Sequence, residues 1–389
     1  MIKKLILFLA LTLSVHAVPP PHYARYLVIS GGGARGIVLL GAFETLLEIP
    51  QFFPHVECIV GSSVGAVTGA FLASGISSAQ LAELETAHFP SILGTKPIWN
   101  SGTKATHFMR QHIKWAIQER LDETPDFIHR LSLMPDHDLM LYEELLRNLD
   151  PDLSIERTRI TFEMLDLLHR LDSAHFKGLG ITVTCINVPA SHACLTLTAA
   201  NAPRLDIAAA CRASISLPLF LDPVELSLND FNIDNLPKEL HKPTLVCVDG
   251  GWLNNTPVKS LEEMVNPPGG LTQVRQEAWV FVYEAPLKAG ERSIFDPLRP
   301  LPSLNFFEKF MTDQFVPFFG KFDHLPSSTK KQYQDLVYLK QNYPYSNIIS
   351  FPVDLSVMDF DDAAKKHVHY SQLGRDVILG QLHRQLEEV

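Results

Sequence analysis

The chain has 389 residues, 46% hydrophobic and 20% charged, which is the composition of a globular protein with room for a sizeable core. Its formal net charge of −10 argues against a nucleic-acid partner and against docking on anionic lipid by charge alone. It does not exclude a lipid substrate, because apolar contacts can bind lipid instead. Five cysteines, an odd number without zinc-type spacing, predict neither a disulfide framework nor a metal site.

The first 17 residues, MIKKLILFLALTLSVHA, have the layout of a secretory signal peptide. Two lysines precede an apolar stretch, Leu5–Leu13, that is too short to span a bilayer, and small residues end the segment at Ala17. We therefore expect export, either secreted or periplasmic, with residues 1–17 removed as a signal peptide. The alternative is an apolar leader that the mature chain keeps.

The next segment alternates strand, glycine turn and helix twice. YLVIS (26–30) predicts a strand that ends at three glycines, and apolar residues at helical spacing follow to about residue 49. Residues 53–60 predict a second buried strand, and residues 64–74 predict a helix of small and apolar residues. Such alternation implies a parallel sheet with helices packed on it.

Farther along, the pattern becomes helical and mixed in charge between about residues 95 and 175. A small-residue helix is predicted around 206–215, and a charged helix near the C-terminus. Further strands are predicted at GLGITVTCIN (178–187), ACLTLTA (193–199), TLVCV (244–248) and QEAWVFVYEA (277–286).

The stretch GSSVG, from Gly61 to Gly65, matches the G-x-S-x-G nucleophile elbow, with Ser63 at its centre. Glycines are needed there because a side chain beside the serine would clash in the turn or block the approaching carbonyl. The motif alone is weak, since short patterns of common residues arise by chance. A strand before it and a helix after it strengthen the interpretation.

The stretch GGGARG, also directly after a strand, matches the dinucleotide fingerprint G-x-G-x-x-G. That interpretation requires an acidic residue at the far end of the next strand, but that end is Gly61-Ser62-Ser63 and Glu57 lies at its beginning. We therefore favour an oxyanion hole, in which successive N–H groups turn toward one anionic oxygen. Its residues are Gly31, Gly32, Gly33, Ala34, Arg35 and Gly36. Arg35 either stiffens the loop and adds positive potential or is an ordinary surface arginine.

Asp249 stands at the end of the TLVCV strand and is followed by Gly250 and Gly251. A carboxylate at a strand terminus can face the same rim of the sheet as Ser63, where doubly wound proteins place their sites. Taken alone, Asp-Gly-Gly is more often a simple turn.

The Ser63 hydroxyl needs a base, because a protonated hydroxyl is a poor nucleophile. The chain has 16 histidines, but none after Asp249 lies in a comparably marked strand-end loop; His324, His367, His369 and His383 lie in segments with a surface pattern. The chain before Ser63 is also too short for the strands that precede the elbow of an ordinary α/β-hydrolase. These observations leave an aspartate acting on the serine directly.

Together, GGGARG, GSSVG, DGG and ACRASISLPLFLDPVEL (210–226) resemble the motifs of the patatin-like phospholipases, in the same order, over roughly residues 26–258. The resemblance implies an α/β fold, a three-layer α/β/α arrangement around a central, mostly parallel sheet. It also implies a dyad without histidine, with Ser63 as nucleophile and Asp249 as base, and the loop Gly31–Gly36 stabilising the oxyanion. No cofactor and no metal are expected.

The implied function is hydrolysis of fatty-acyl esters of phospholipids or other acyl lipids at a membrane interface, without nucleic acid and with any protein activator unknown. The alternatives are a general esterase or neutral-lipid lipase, and a catalytically silent protein that binds lipid or a partner. We expect a catalytic domain at 26–265 with a helical insert at about 95–175. Residues 266–389 form a C-terminal extension of unassigned role.

Residues 305–322 contain seven phenylalanines, partly on one helical face until Pro317. One hypothesis makes this segment an interfacial or lid element beside the site. The alternative is that the segment packs onto the catalytic core. We favour this alternative because stripes of aromatic residues usually belong to a core.

Overall fold

The computed structural model describes residues 24–85, 101–124, 129–130, 132–218, 220–265, 270–288, 290–300 and 325–387. The predicted signal peptide at 1–17 lies outside the described residues, and so does the phenylalanine-rich segment at 305–322. The architecture below refers to the described residues.

One mixed sheet of eight strands organises the described part of the chain. Five neighbouring strands, in the order β3-β2-β1-β7-β8, are parallel, while β4 and β6 pair antiparallel with β3, and β5 pairs antiparallel with β6. The strands are β1 (Tyr26–Ile29), β2 (Cys58–Ser62), β3 (Gly178–Cys185), β4 (Cys194–Leu197), β5 (Val224–Ser227), β6 (Thr244–Val248), β7 (Ala278–Glu284) and β8 (Ile348–Pro352).

Helices cover both faces of this sheet. They are α1 (Ile37–Leu47), α2 (Phe52–His55), α3 (Val64–Ala73), α4 (Ser78–Glu85), α5 (Thr103–Glu123), α6 (Asp136–Leu149), α7 (Phe162–Leu171), α8 (Ile207–Ser214), α9 (Val258–Val265), α10 (Gly270–Glu277), α11 (Leu325–Asn342), α12 (Phe360–Lys365) and α13 (His367–Glu387). The helices α5, α6 and α7 occupy the stretch predicted as a helical insert.

Two hydrophobic clusters lie on opposite faces of the sheet, because successive strand side chains point to opposite sides. Leu27 and Ile29 of β1 join the larger cluster, with α1, α3, α5, α7, α8 and α13. Tyr26 and Val28 join the smaller one, with α9, α10 and α11. This three-layer α/β/α arrangement with a mostly parallel sheet confirms the predicted fold class.

Residues after 266, predicted as an extension, contribute β7 and β8 to the central sheet, and β7 lies directly beside β1. Helix α13 packs on α1 at a point where both helices carry glycine. A Cβ placed on Gly41 would lie 2.1 Å from Ser371 O, and one on Gly374 would lie 2.0 Å from Val38 O. Only glycines allow these two helix backbones to touch.

The expected strand at 53–60 is a short helix, α2, followed by β2, which begins only at Cys58. Pro54 stands in the first turn of α2, where its missing N–H leaves no helical hydrogen bond unmade. The apolar run is therefore shared between the two elements.

Candidate active site

Ser63 lies in the sharp turn between β2 and α3. It has φ +52° and ψ −126°, and it is the one non-glycine residue with positive φ among the described residues. An L-residue with a Cβ is strained in this region of backbone space, and such strain persists only where the surrounding structure imposes it. The turn is therefore the strained strand-to-helix elbow predicted from GSSVG.

The two flanking glycines make that turn sterically possible. A Cβ placed on Gly61 would lie 2.3 Å from Gly65 O, and a Cβ placed on Gly65 would lie 2.2 Å from Ile29 O. Both contacts are with backbone atoms, which cannot move aside as a side chain can. Glycine at these positions lets α3 start directly against β1 and β2.

The side chains of Ser63 and Asp249 meet in the folded chain. Ser63 Oγ donates to Asp249 Oδ2 at 2.7 Å, and the Gly251 N–H donates to Asp249 Oδ1 at 2.7 Å. Ser63 is 8% exposed and Asp249 is 5% exposed. Burial raises the pKa of Asp249 from 3.8 to about 7, although the hydrogen bonds from Ser63 and Gly251 favour its ionised form.

The pairing of β3 explains how these residues come together. β2 pairs with the first five residues of β3, whereas β6 runs antiparallel to β3 and pairs Val248 with Thr184, beyond the end of β2. Thr184 pairs with β4 on its opposite edge, so β6 lies on the edge of β3 that β2 occupies. The carboxyl ends of β2 and β6 face each other head-on, and the next residues are Ser63 and Asp249.

The turn after Asp249 packs closely on β3. A Cβ placed on Gly250 would lie 2.1 Å from Thr182 O, and one on Gly251 would lie 3.0 Å from Asp249 Oδ1. Gly250 therefore allows the turn to approach β3, while Gly251 brings its N–H within reach of the carboxylate.

The glycine loop lies directly beside Ser63. A Cβ placed on Gly31 would lie 3.1 Å from the Cβ of Ser63 and 2.5 Å from Oδ1 of Asn255. Asn255 follows Asp249 in the next loop; its Nδ2 donates to Gly31 O at 3.1 Å, and its main-chain oxygen accepts the Gly31 N–H at 3.0 Å. These bonds tie the glycine loop to the loop that carries the carboxylate.

Several N–H groups of the glycine loop are already bonded. The Ala34 N–H donates to Val357 O at 2.8 Å, and the Arg35 N–H donates to Gly32 O at 3.1 Å. Among the described residues, no acceptor bonds the N–H groups of Gly32 and Gly33.

Arg35 and Gly36 complete the loop, which ends in a 3-10 turn at Gly33–Gly36. The Arg35 Nε donates to Leu355 O at 2.7 Å, and burial lowers the pKa of its guanidinium. A Cβ placed on Gly36 would lie 2.3 Å from Cγ2 of Val64, so glycine lets the start of α3 approach the loop.

Ser214 supports the elbow, a role the sequence did not reveal. Its hydroxyl accepts the Ser63 N–H at 2.8 Å and donates to Thr182 O at 2.7 Å. The main chain of Ser216 accepts the Asp249 N–H at 3.0 Å, and the Arg212 guanidinium donates to the Ser216 hydroxyl. The sequence signal for these residues is the stretch ACRAS (210–214), which is part of a patatin-like motif but does not by itself indicate a physical role.

Histidines of the described residues make no hydrogen bond to Ser63 or Asp249. His112 is half-buried against Phe71, Phe108 and Trp115, and its partial burial lowers its pKa to about 4. Within the described ranges, no group of histidine, cysteine, aspartate or glutamate side chains is arranged to hold a metal ion. None of the described helices combines the length and apolar character needed to cross a membrane.

Comparison with known families decides the identity of this fold. A family model for patatin-like phospholipases matches residues 27–262. The chain belongs to the patatin-like phospholipase family. The predicted resemblance is thereby confirmed, and the matched range includes all four patatin-like motifs.

Two curated relatives match short stretches of this chain. The cUMP-AMP-activated phospholipase of Escherichia coli is 32% identical over 75 residues, which cover 18% of this chain and 23% of that protein. The uncharacterized protein YqhO of Bacillus subtilis (strain 168) is 46% identical over 54 residues, covering 14% of this chain and 18% of that protein. The chain thus spans less than a quarter of the length of these relatives.

The patatin-like fold also resembles a solved structure. VipD from Legionella pneumophila superposes with a TM-score of 0.52 and 19% sequence identity, covering 93% of this chain and 67% of that protein. At this level of identity, the likeness concerns the fold.

Proposed function

We propose that this protein is a serine lipid acyl hydrolase of phospholipase A type, which cleaves fatty-acyl esters of phospholipids. The observation that carries the proposal is the 2.7 Å hydrogen bond from Ser63 Oγ to the buried carboxylate of Asp249, at a strained elbow. Membership of the patatin-like phospholipase family supports a lipid ester as the substrate. Export through residues 1–17 is part of the proposal and rests on the sequence pattern.

In the first step, Asp249 accepts the Ser63 proton while Oγ attacks the ester carbonyl. A carboxyl with a pKa of about 7 is a stronger base than an ordinary aspartate and is still substantially ionised near neutral pH. Its second oxygen is held by the Gly251 N–H, which keeps Oδ2 directed at Ser63. The same group can therefore act as base without a histidine between them.

The oxyanion of the tetrahedral intermediate requires fixed donors beside Ser63. The N–H groups of Gly32 and Gly33 are suited to this role because no described residue accepts a hydrogen bond from either of them. The N–H of Val64, the residue after the nucleophile, lies at the positive N-terminal end of α3 and is a third candidate.

Collapse of the intermediate expels the lysolipid alkoxide, which takes the proton held by Asp249, and leaves the acyl group on Ser63. A water molecule then attacks the acyl-enzyme, with Asp249 again accepting a proton. Fatty acid leaves and the Ser63 hydroxyl is restored. Each atom and proton is accounted for by ester, water and the two side chains.

Substitution of each dyad member tests the proposal. Ser63→Ala and Asp249→Asn should each abolish release of fatty acid from phosphatidylcholine vesicles, and Ser63→Ala should also abolish labelling by a fluorophosphonate probe. Ser191→Ala and Asp234→Asn, at exposed positions, are matched controls that should retain activity. Full hydrolysis by either dyad variant would contradict the assignment of roles.

A substrate panel separates the proposed function from its alternatives. Phospholipid vesicles, a triacylglycerol emulsion and p-nitrophenyl butyrate are compared with the same preparation. Cleavage of phospholipid in preference to the other two supports the phospholipase. Cleavage of only the soluble ester would indicate a general esterase, and cleavage of only the triacylglycerol would indicate a neutral-lipid lipase. A protein that cleaves none of the three and is not labelled by the fluorophosphonate probe would be a catalytically silent protein that binds lipid or a partner.

A further inference from the structure

The segment between β8 and α12, residues 353–358, lies against the glycine loop although more than 300 residues of chain separate the two. We propose that this segment, called here the C-terminal strap, holds the glycine loop in its reactive conformation, and that Arg35 is the positioning residue that connects them. The inference rests on the proposed function, and it assigns a positioning role to part of the region after residue 266.

Three contacts join the strap to consecutive residues of the loop. The Arg35 Nε donates to Leu355 O at 2.7 Å, and the Ala34 N–H donates to Val357 O at 2.8 Å. Gly33 has φ +54°, and a Cβ placed on it would lie 2.2 Å from the same Val357 oxygen. The strap therefore touches the loop directly next to the N–H groups of Gly32 and Gly33.

The strap is itself fixed to the core. The Val353 N–H donates to Glu284 O at 3.0 Å, continuing the pairing of β8 with β7, and the Tyr370 hydroxyl of α13 donates to Asp354 O at 3.1 Å. Val353 and Leu355 are buried at 2% and 5% exposure. A segment anchored in this way can hold the loop against a rigid support.

The opposite side of the loop is held by Asn255, which bonds both the N–H and the carbonyl of Gly31. The N–H groups of Gly32 and Gly33, which bond no acceptor among the described residues, thus lie between a fixed point at Gly31 and a fixed point at Ala34. Glycine has the widest conformational freedom of all residues. The three successive glycines at 31–33 therefore need such constraints to keep their N–H groups aligned. Preorganised donors stabilise an oxyanion without reorganising during the reaction.

Arg35 suits the positioning role because its side chain reaches a main-chain carbonyl rather than an acidic partner. The bond to Leu355 O fixes the end of the loop to the strap, and the guanidinium remains charged under all ordinary conditions. If the loop is misplaced, the oxyanion loses stabilisation that it receives only in the transition state. Loss of Arg35 should therefore lower kcat with little change in KM.

The experiment compares three substitutions at Arg35 in the full chain. Arg35→Lys keeps the charge and a donor, Arg35→Gln keeps a donor without the charge, and Arg35→Met keeps only the length. The matched control is Arg204→Met, because Arg204 also donates from Nε to a main-chain carbonyl, that of Asn229 at 3.0 Å, but outside the site. Hydrolysis of p-nitrophenyl butyrate is measured below the unfolding transition of each variant.

We expect Arg35→Met to lower kcat by about tenfold to a hundredfold and to change KM by less than about twofold. This loss in kcat is at most similar to that caused by removing one oxyanion donor. Arg35→Lys and Arg35→Gln should recover part of the rate, and Arg204→Met should match the unchanged protein. Unchanged kcat in folded Arg35→Met would overturn the proposal. So would an equal loss in Arg204→Met, or a rise in KM that accounts for the whole effect.

A second measurement does not depend on activity. Hydrogen exchange at the Ala34 amide, which is bonded to Val357 O, should be faster in Arg35→Met than in the unchanged protein, whereas amides within α3 should keep their rates. Insertion of two glycines between Ser356 and Val357 should have the same effect by displacing the acceptor. If the Ala34 amide exchanges at an unchanged rate in both variants, the proposed role of the strap is wrong.

The two proposals fail in different ways. If the unchanged protein neither hydrolyses any ester nor reacts with a fluorophosphonate at Ser63, the proposed function fails, while the exchange measurement still tests the contact of strap and loop. If Ser63 is labelled and esters are cleaved but Arg35→Met is indistinguishable from the unchanged protein, the strap alone is excluded.

Discussion

Ser214 and Ser63 lie 151 residues apart in sequence, yet the Ser214 hydroxyl accepts the Ser63 main-chain N–H at 2.8 Å. The same hydroxyl donates to Thr182 O, so one side chain links α8, β3 and the elbow. Because the Ser63 backbone has a disfavoured conformation, it requires restraint from outside the turn. Ser214 supplies part of that restraint.

Ser214→Ala should lower the free energy of unfolding by about 1–3 kcal/mol, since it leaves a buried N–H and a buried carbonyl without their partner. It should also lower kcat, because the elbow is released. Urea unfolding and ester hydrolysis measure the two effects, with Ser191→Ala as the exposed control. A variant as stable as the control would show that water or a shifted main chain replaces the bond.

The rate should depend on pH through Asp249. Its pKa of about 7 means that the carboxylate needed to accept the Ser63 proton is lost below neutrality. We expect kcat/KM for a soluble ester to fall by about tenfold per pH unit below about pH 6 and to level off above about pH 8. A pH profile of the purified protein measures this. A rate that is flat through neutrality, or that falls as pH rises, would contradict the role of Asp249 as base.

Stability should depend on pH in the opposite direction. Burial raises the folded pKa of Asp249 above its ordinary value of 3.8, so between about pH 4 and about pH 7 the folded chain keeps a proton that the unfolded chain has lost. The contribution of Asp249 to the free energy of unfolding therefore falls as pH rises, by up to about 1.4 kcal/mol per pH unit in that window.

Asp249→Asn lacks this titration, so its stability relative to the unchanged protein should increase as pH rises across the same window. Urea unfolding of both proteins at a series of pH values gives the difference directly. A difference that stays constant with pH would mean that the folded pKa of Asp249 is not raised.

Backbone strain at Ser63 predicts an inverted order of stability for two substitutions. Ser63→Gly and Ser63→Ala both remove the hydroxyl, but glycine accepts φ +52° without strain and alanine does not. We expect the glycine variant to be more stable by about 1 kcal/mol. At Ser191, which has no positive φ, alanine should be the more stable of the two. The same order at both positions would argue against strain at the elbow.

The sequence predicted most of the parallel part of the fold, where glycine turns after apolar runs mark the ends of β1 and β2. A glycine turn also marks the end of β6. The sequence did not predict that β6 runs antiparallel to β3. Strand patterns carry no information about direction, so Asp249 was expected at a common rim of a parallel sheet. The two carboxyl ends instead meet head-on beside β3.

Residues of the site were predictable where a motif names them, and not where only tertiary contacts do. The proximity of Ser63, Asp249 and the glycine loop follows from three short motifs. Ser214 and the strap carbonyls have no local signal, since any residue offers a main-chain carbonyl and a serine within a helix is common. The strand β8 was also missed, because the five residues of IISFP show no clear alternation.

Because β2 and β6 meet head-on along β3, the length of β3 sets the distance between Ser63 and Asp249. Long additions between β2 and β3, such as α5, α6 and α7, leave the spacing of Ser63 and Asp249 unchanged, because lengthening a loop has a small entropic cost. One residue added inside β3, between the parts that pair with β2 and β6, would separate the two strand ends by about 3.3 Å and reverse the faces of the side chains beyond it. We therefore expect the protein to tolerate large changes in the length of the segment between β2 and β3, and almost none in the length of β3 itself.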